Sequence, residues 1–386
     1  MDATVYENKK IKGVATHALV IGVGHYGHLP GGNGQQAAEN WGLRQLSSPP
    51  HSARALARWL IKEFKHPTKP LASVALLVAE KSVSKFSYRI KDHEKTVSVS
   101  NADMDNVKTA IEAWHARGNT DAENLLLFFF CGHGLALGPD LALLLSDFAE
   151  NSLSPLAGAL DFRRFRVGMN ECAAREQCYF IDACRSDSEL LSHNSGYAGN
   201  PVIQASGAYN TSDRLRQAPV FHSTLSGAAS YATKKEPSHY TAALIEALAG
   251  AAAGNEYGPW QVRTALLHDA LGAMMRDLSS RLSIPQNQIN ATDDLSTIDL
   301  NVLAKPWVPL VVTCDSELAN GKAAFSCSGP AFNDKRRPRK GNWRLSVPVD
   351  SYDIGAKFRD GPFKSALTTG FDARPIFRRV TLKVTR

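Results

Sequence analysis

Hydrophobic residues fall along this chain in two rhythms, and the change between them divides it. Up to about residue 285, short continuous apolar runs alternate with segments whose apolar residues recur every three or four positions. Continuous runs bounded by Gly and polar residues mark strands buried on both faces, whereas the wider spacing is that of amphipathic helices. Runs at 18–23, 73–78, 124–130 and 177–181 predict strands. Ala53, Leu56, Ala57 and Leu60 predict a helix over 51–64. Val107, Ala110, Ile111 and Trp114 predict a second, capped by Asn101 or Asp103 and stopped at Gly118. A returning strand at 141–145, a helix over 161–174, a strand at 219–225 and helices over 238–253 and 259–282 complete the series. This alternation predicts an α/β fold, a three-layer sandwich around a mostly parallel sheet.

Beyond residue 305 the rhythm becomes period two, in Val308-Pro-Leu-Val-Val-Thr313, Ala323-Ala-Phe-Ser-Cys327, Trp343-Arg-Leu-Ser-Val347 and Val380-Thr-Leu-Lys-Val384. Strands at this spacing, separated by Gly, Pro and Asp turns, predict a small all-β sandwich. The expected organisation is one large domain over 1–285, a linker over 286–305 and an accessory β domain over 306–386.

Charge sharpens that division. The net charge is +7. From Lys305 onward 16 Lys or Arg stand against 7 Asp or Glu, and the preceding residues hold 28 basic and 30 acidic side chains. The whole basic excess therefore belongs to the C-terminal region. Its densest run, Lys335-Arg-Arg-Pro-Arg-Lys340, is placed in a hairpin, where it is read first as a solvated loop and second as a patch for an acidic partner. The first twenty residues hold Asp2, Glu7 and three lysines with no apolar run, and no stretch approaches the roughly 20 residues that span a bilayer. The expectation is a cytoplasmic protein without a transmembrane segment.

Two strands run straight into reactive side chains. One reads Asn124-Leu-Leu-Leu-Phe-Phe-Phe-Cys-Gly-His133-Gly134, the other Gln177-Cys-Tyr-Phe-Ile-Asp182-Ala-Cys184. Ligands of such sheets bind beyond the carboxyl ends of the strands, so His133 and Cys184 meet at one sheet edge if the strands are neighbours. A thiol beside an imidazole is a candidate nucleophile and base. The six cysteines are too few for a disulfide scaffold, and their spacings do not form paired zinc-ligand sets. No residue pattern calls for a cofactor, and calcium dependence is left open. Gly22-Val-Gly24-His-Tyr-Gly27 satisfies a dinucleotide-binding spacing, but Pro30, Gly31, Gly32 and Gly34 follow where a helix would have to begin. A nucleotide-binding role is accordingly disfavoured.

The segment Asp182-Ala-Cys184-Arg185-Ser186, with His133 upstream, resembles the caspase signature and more closely the D-x-C arrangement of metacaspases and other prokaryotic caspase-like peptidases. The likeness extends over most of 15–280 and leaves the β region outside. It implies a cysteine endopeptidase, with Cys184 as nucleophile, His133 as general acid and base, and the N–H groups of Gly134 and Cys184 as oxyanion hole. It further implies that Asp182 receives a basic P1 side chain, with Ser226 as another pocket wall; the second reading is that Asp182 caps nearby backbone amides. Asp147 is expected to be structural. The stretch 185–218 is read as a long mobile loop, with Arg185, Arg214, Arg216 and Lys234-Lys235 as candidate self-processing positions. The resemblance also implies a regulated effector that activates a partner protein by limited cleavage. The competing reading is a silent caspase-like module that binds partners.

Overall fold

Seven strands build the central sheet of a computed structural model, which describes residues 3–82, 85–184, 186–187, 189–194, 197–205, 216–223, 235–256, 258–282, 291–292, 297–359 and 361–386. The strands are β1 (Thr4–Glu7), β2 (Thr16–Val23), β3 (Leu71–Ala79), β4 (Leu125–Gly132), β5 (Glu176–Ala183), β6 (Val220–His222) and β7 (Ala291–Thr292). Their spatial order is β1-β3-β2-β4-β5-β6-β7. The five inner strands are parallel, and β1 and β7 close the edges antiparallel. Every residue of β2, β3 and β4 is buried, which is why their sequences read as unbroken apolar runs.

Helices cover both faces. α1 (Pro49–Glu63) turns Ala53, Leu56, Ala57 and Leu60 inward and packs on β2 and β3. α2 (Met104–Gly118) lies against the same two strands with Val107, Ala110, Ile111 and Trp114 buried. Its start is fixed by Asp103, whose carboxylate accepts the Asn106 N–H. Asp147 accepts the Met104 N–H at the same helix end. α3 (Phe162–Met169) adds Phe162 and Phe165 to an aromatic cluster with Trp114, Phe128 and Tyr179, in which neighbouring ring centroids lie 5.4–6.5 Å apart.

Two compact units emerge from the packing. The first comprises Met1–Ile245 and Met275–Ile298, the second Glu246–Met274 and Asp299–Arg386. In the second unit, Trp307–Cys314 is the middle strand of a three-stranded sheet, antiparallel to Trp343–Pro348 and parallel to Arg378–Leu382. A four-stranded sheet runs in the order Asn333–Arg336, Ala324–Ser328, Asp350–Lys357, Ala366–Ala373. The two sheets enclose one apolar core that includes Val308, Leu310, Val312, Phe325, Trp343, Tyr352 and Ile354, so the region is a β-sandwich.

Three expectations are corrected. The helix expected from 259 starts at Thr264, because Trp260–Arg263 form a strand between Ala253–Gly254 and Asp299–Leu303; Val262, buried there, fits either periodicity. The basic run only begins in a hairpin, that of Ala324–Ser328 and Asn333–Arg336. Lys335 and Arg336 end a strand of the four-stranded sheet, and Trp343 opens a strand of the other, so the run crosses from sheet to sheet. Finally, the described parts of 185–218 are docked rather than loose. Leu190, Leu191 and Ala198 enter the core, a short helix spans Glu189–His193, and Gly168 and Gly199 approach backbone too closely for a Cβ. Among the described residues no helix is long and apolar enough to cross a membrane.

The packing has two measurable consequences. Phe128 is fully buried within the aromatic cluster. Phe128→Ala should destabilise the protein by about 3–5 kcal/mol in denaturant unfolding, through lost transfer energy and a cavity. His17 lies in β2 with its Nδ1 2.8 Å from Ser73 Oγ, and its carbonyl accepts the Trp114 indole N–H at 3.1 Å. Burial, assisted by Arg117, pushes its pKa down to about 4. The fold therefore favours neutral His17, and this contribution is complete above the unfolded value near 6.5 and is lost as pH falls toward 4. The loss should be on the order of 3 kcal/mol. Unfolding curves at pH 7 and pH 4 should differ less in His17→Gln than in the wild type.

Candidate active site

The parallel pairing of β4 with β5 places the two motifs. Residues pair at a constant offset of 51, from Glu176 opposite Leu125 to Ala183 opposite Gly132. After a break at His133 and Cys184, the same offset resumes in a short parallel pair, Ser186 opposite Leu135 and Asp187 opposite Ala136. His133 and Cys184 therefore occupy facing positions where the two strands leave the sheet. The close approach is visible at Gly134, where an added Cβ would stand 2.4 Å from the Cys184 carbonyl oxygen, so only glycine fits.

His133 is fixed by its backbone and its ring. Its N–H donates to the Tyr26 hydroxyl at 2.8 Å, and its carbonyl accepts the Leu144 N–H at 3.0 Å. The imidazole packs on the Tyr26 ring, with centroids 4.9 Å apart. Its Nε2 lies 2.6 Å from the Arg44 carbonyl oxygen. A carbonyl only accepts, so Nε2 carries the proton and Nδ1 is the nitrogen left to accept one. Burial lowers the His133 pKa below its ordinary value, and the Arg44 carbonyl opposes part of that shift. The ring is neutral at pH 7.

Cys184 differs from the other five cysteines, for it alone is partly exposed. Cys131 and Cys178 lie wholly inside the sheet, where burial pushes both thiols well up and keeps them protonated. Tyr26, buried and likewise held protonated, lies within electrostatic reach of Cys184 while bonded to His133. The phenol thus ties His133 to the Gly-rich loop.

Asp182 is almost completely buried, two residues before Cys184. One of its oxygens accepts from the Thr241 hydroxyl at 2.7 Å, from the Ser238 hydroxyl and from the Cys131 thiol at 3.4 Å. Ser238 in turn accepts the Thr241 N–H, capping the helix His239–Glu246, and its own N–H donates to Ser52 at the start of α1. Asp182 is thus joined through these hydroxyls to the helix end above β5. Ser226 lies outside the described residues, as do Arg185, Arg214 and Lys234. Ser223, just before that gap, donates from its hydroxyl to the Ala183 carbonyl at 3.4 Å. Arg216 is half-buried and donates to the carbonyls of Cys172, Ala174 and Met169, a poor position for a cleavage site. Lys235 is exposed.

The Gly22–Gly27 motif opens no helix; α1 begins at Pro49. A cleft of about 600 Å³ beside this loop is lined by His25, His28, Glu80, Asp103 and Asp147 among others. Three of its acids are engaged in the fold: Asp103 and Asp147 serve the start of α2, and Glu80 pairs with Arg54. Among the described residues no cluster of three or more His, Cys, Asp or Glu side chains is arranged to hold a metal ion. Sequence reasoning missed Tyr26 and the Arg44 carbonyl. A backbone carbonyl leaves no residue-type signal, and Tyr26 was masked by the glycines around it.

Comparison with known proteins bears on the same region. Residues 15–294 match the family model of the caspase domain. The chain is 26% identical over 253 residues to the uncharacterized protein y4kE of Sinorhizobium fredii (strain NBRC 101917 / NGR234), an alignment covering 63% of this chain and 69% of the relative. Among solved structures it is similar to caspase-1 from Spodoptera frugiperda, with 15% identity, a TM-score of 0.42, and 73% of this chain and 87% of that one covered. A structure of pro-sf-caspase-1 aligns with 13% identity and a TM-score of 0.39, covering 73% and 92% of the two chains. The family model spans well over half of the sequence, including both strand ends just described, and the chain belongs to the caspase domain family, whose domain is of the cysteine-peptidase type.

Proposed function

We propose that the protein is a cysteine endopeptidase that cleaves protein substrates through a Cys184–His133 dyad. The observation that carries this reading is the constant offset of 51 on both sides of the pair, which sets the one partly exposed cysteine opposite a histidine whose Nε2 is already engaged. His133 Nδ1 takes the proton from Cys184 Sγ, and the thiolate attacks the peptide carbonyl carbon. The oxygen of the tetrahedral intermediate gathers negative charge facing the N–H groups of Gly134 and Cys184. As the C–N bond breaks, the imidazolium gives its proton to the leaving amine. Water, deprotonated by His133, then attacks the thioester and releases the acid and the free thiol.

We assign Asp182 to recognition of Arg or Lys at P1. Its carboxyl group lies on the strand that leads to the nucleophile, and three donors to one oxygen hold it in a fixed orientation. Ser226 contributes a further wall of that pocket. Acting in the cytoplasm, the enzyme serves as a regulated effector that activates a partner by limited proteolysis, and the basic β domain is the surface for a protein partner.

Fluorogenic peptides with Arg, Lys, Asp or Leu at P1 test this, assayed with and without calcium. The wild type should cleave after Arg or Lys, and Cys184→Ala should abolish cleavage. Cleavage after Asp or Leu would retain the peptidase and discard the basic pocket, and no cleavage of any peptide would favour a binding module. Asp182→Asn separates recognition from support. If Asp182 reads P1, kcat/KM for Arg substrates should fall about 100-fold or more while the preference over Leu collapses. An equal fall for every substrate would leave it a structural anchor.

A further inference from the structure

The histidine's partner is a carbonyl in a loop, and a loop carbonyl is only as well placed as the loop. Residues 24–48 connect β2 to α1 without regular structure, and Arg44 is exposed there. Two contacts made by the residues just after its carbonyl hold this stretch. The Leu46 N–H donates to the Gly24 carbonyl at 2.9 Å. Gln45 then closes a two-way pair with the peptide of Tyr26. Its Oε1 accepts the Tyr26 N–H at 2.8 Å, and its Nε2 donates to the Tyr26 carbonyl at 2.9 Å. The same amide nitrogen lies 3.3 Å from the Leu29 carbonyl and 3.2 Å from that of Pro30. One carboxamide thus gathers both ends of the loop.

The pair matters because of what each end carries. Tyr26 holds the His133 N–H through its hydroxyl and the imidazole face through its ring. Arg44, next to Gln45, holds the imidazole Nε2. We propose that Gln45 is a positioning residue for catalysis: by pairing with the Tyr26 peptide it fixes the Arg44 carbonyl against His133 Nε2, and so keeps Nδ1 as the proton acceptor toward Cys184. This rests on the cysteine-peptidase reading for its consequence, and on the geometry alone for the state of the histidine. The two influences on the His133 ring are burial, which lowers its pKa, and the Arg44 carbonyl, which raises it. Tyr26 against the ring stays protonated, and Cys184 faces it from the adjoining strand. Releasing the carbonyl therefore lowers the His133 pKa and frees the tautomer.

The test uses the full chain with ¹⁵N-labelled histidine, as wild type, Gln45→Ala and Gln45→Met. Methionine keeps most of the volume and removes both hydrogen-bonding functions without adding charge, so it carries the test if the alanine variant unfolds. Wild-type His133 should titrate as the Nε2–H tautomer. In the variants the neutral ring should become a mixture of tautomers and titrate at lower pH, with the corresponding limb of the pH–rate profile moving the same way. On the best peptide, kcat should fall about 10- to 100-fold while KM stays within about twofold, as expected for a misplaced catalytic group. Variants whose His133 keeps the wild-type tautomer and titration would overturn the proposal, whatever their activity. A shifted His133 in a protein that cleaves no peptide would uphold the clamp and sink the peptidase reading. Active variants with unshifted His133 would do the reverse.

Discussion

The chemistry of this molecule depends on the alignment of two parallel strands. β4 and β5 run side by side at an offset of 51 residues, and the offset survives the point where both leave the sheet. Side chains alternate faces along a strand, so a slip of one residue would turn His133 and Cys184 to opposite sides. The register is held by burial: every residue of β4 is buried, and all but the first of β5. Alternate residues of the pair, such as Phe128, Phe130, Tyr179 and Ile181, enter one core. The aromatic packing beneath the sheet and the chemistry at its edge are thus one structural fact.

Burial also decides which of several similar groups can react. Cys131 lies near the end of β4, Cys178 near the start of β5, and Cys184 just beyond its end. The first two are enclosed, and the cost of charging a thiol there keeps them neutral. Cys131 gives its proton to a hydrogen bond with Asp182 instead. Moving two residues along the chain from Asp182 to Cys184 passes from an interior filled with hydroxyl donors to a partly exposed position. The same enclosure holds His133 neutral, so that it can receive a proton.

Much of this was legible in the sequence, for reasons that can be located. The inner strands announced themselves because both faces are buried, and α1 and α2 because one face is. The strand Ala366–Ala373 gave no signal, since Ala373 is its only buried residue. Asp350–Lys357 hid its alternation, which starts with Tyr352 and Ile354 around Asp353 and is then broken by the small buried residues Gly355 and Ala356. The facing positions of His133 and Cys184 were legible because each residue type stands directly after a buried strand. The contacts around His133 were not, because the Arg44 carbonyl and the Tyr26 peptide belong to the backbone that every residue shares. The basic run misled in a related way. Arg336 is buried, stacks on Phe325 at 4.7 Å and donates to the carbonyls of Gly341 and Arg339, while Arg337, Arg339 and Lys340 are exposed. One member of an apparently uniform charge run is a structural peg for the others.

The glycines of Gly22–Gly27 show why spacing alone is a weak guide to chemistry. In a dinucleotide site such glycines let backbone approach a pyrophosphate and a helix approach a strand. Here the second need is present without the first. A Cβ on Gly22 would stand 2.5 Å from the Pro49 carbonyl and 2.7 Å from the Ala53 Cβ, and one on Gly24 would meet the Leu46 carbonyl at 2.6 Å and Pro50 at 2.7 Å. The first turn of α1 and the residues before it therefore lie directly on the end of β2. That close seating leaves the Arg44–Leu46 stretch beside Gly24–Tyr26, where the Gln45 carboxamide can reach the Tyr26 peptide. Glycines that mimic a phosphate-binding signature bring the loop close enough to hold the histidine.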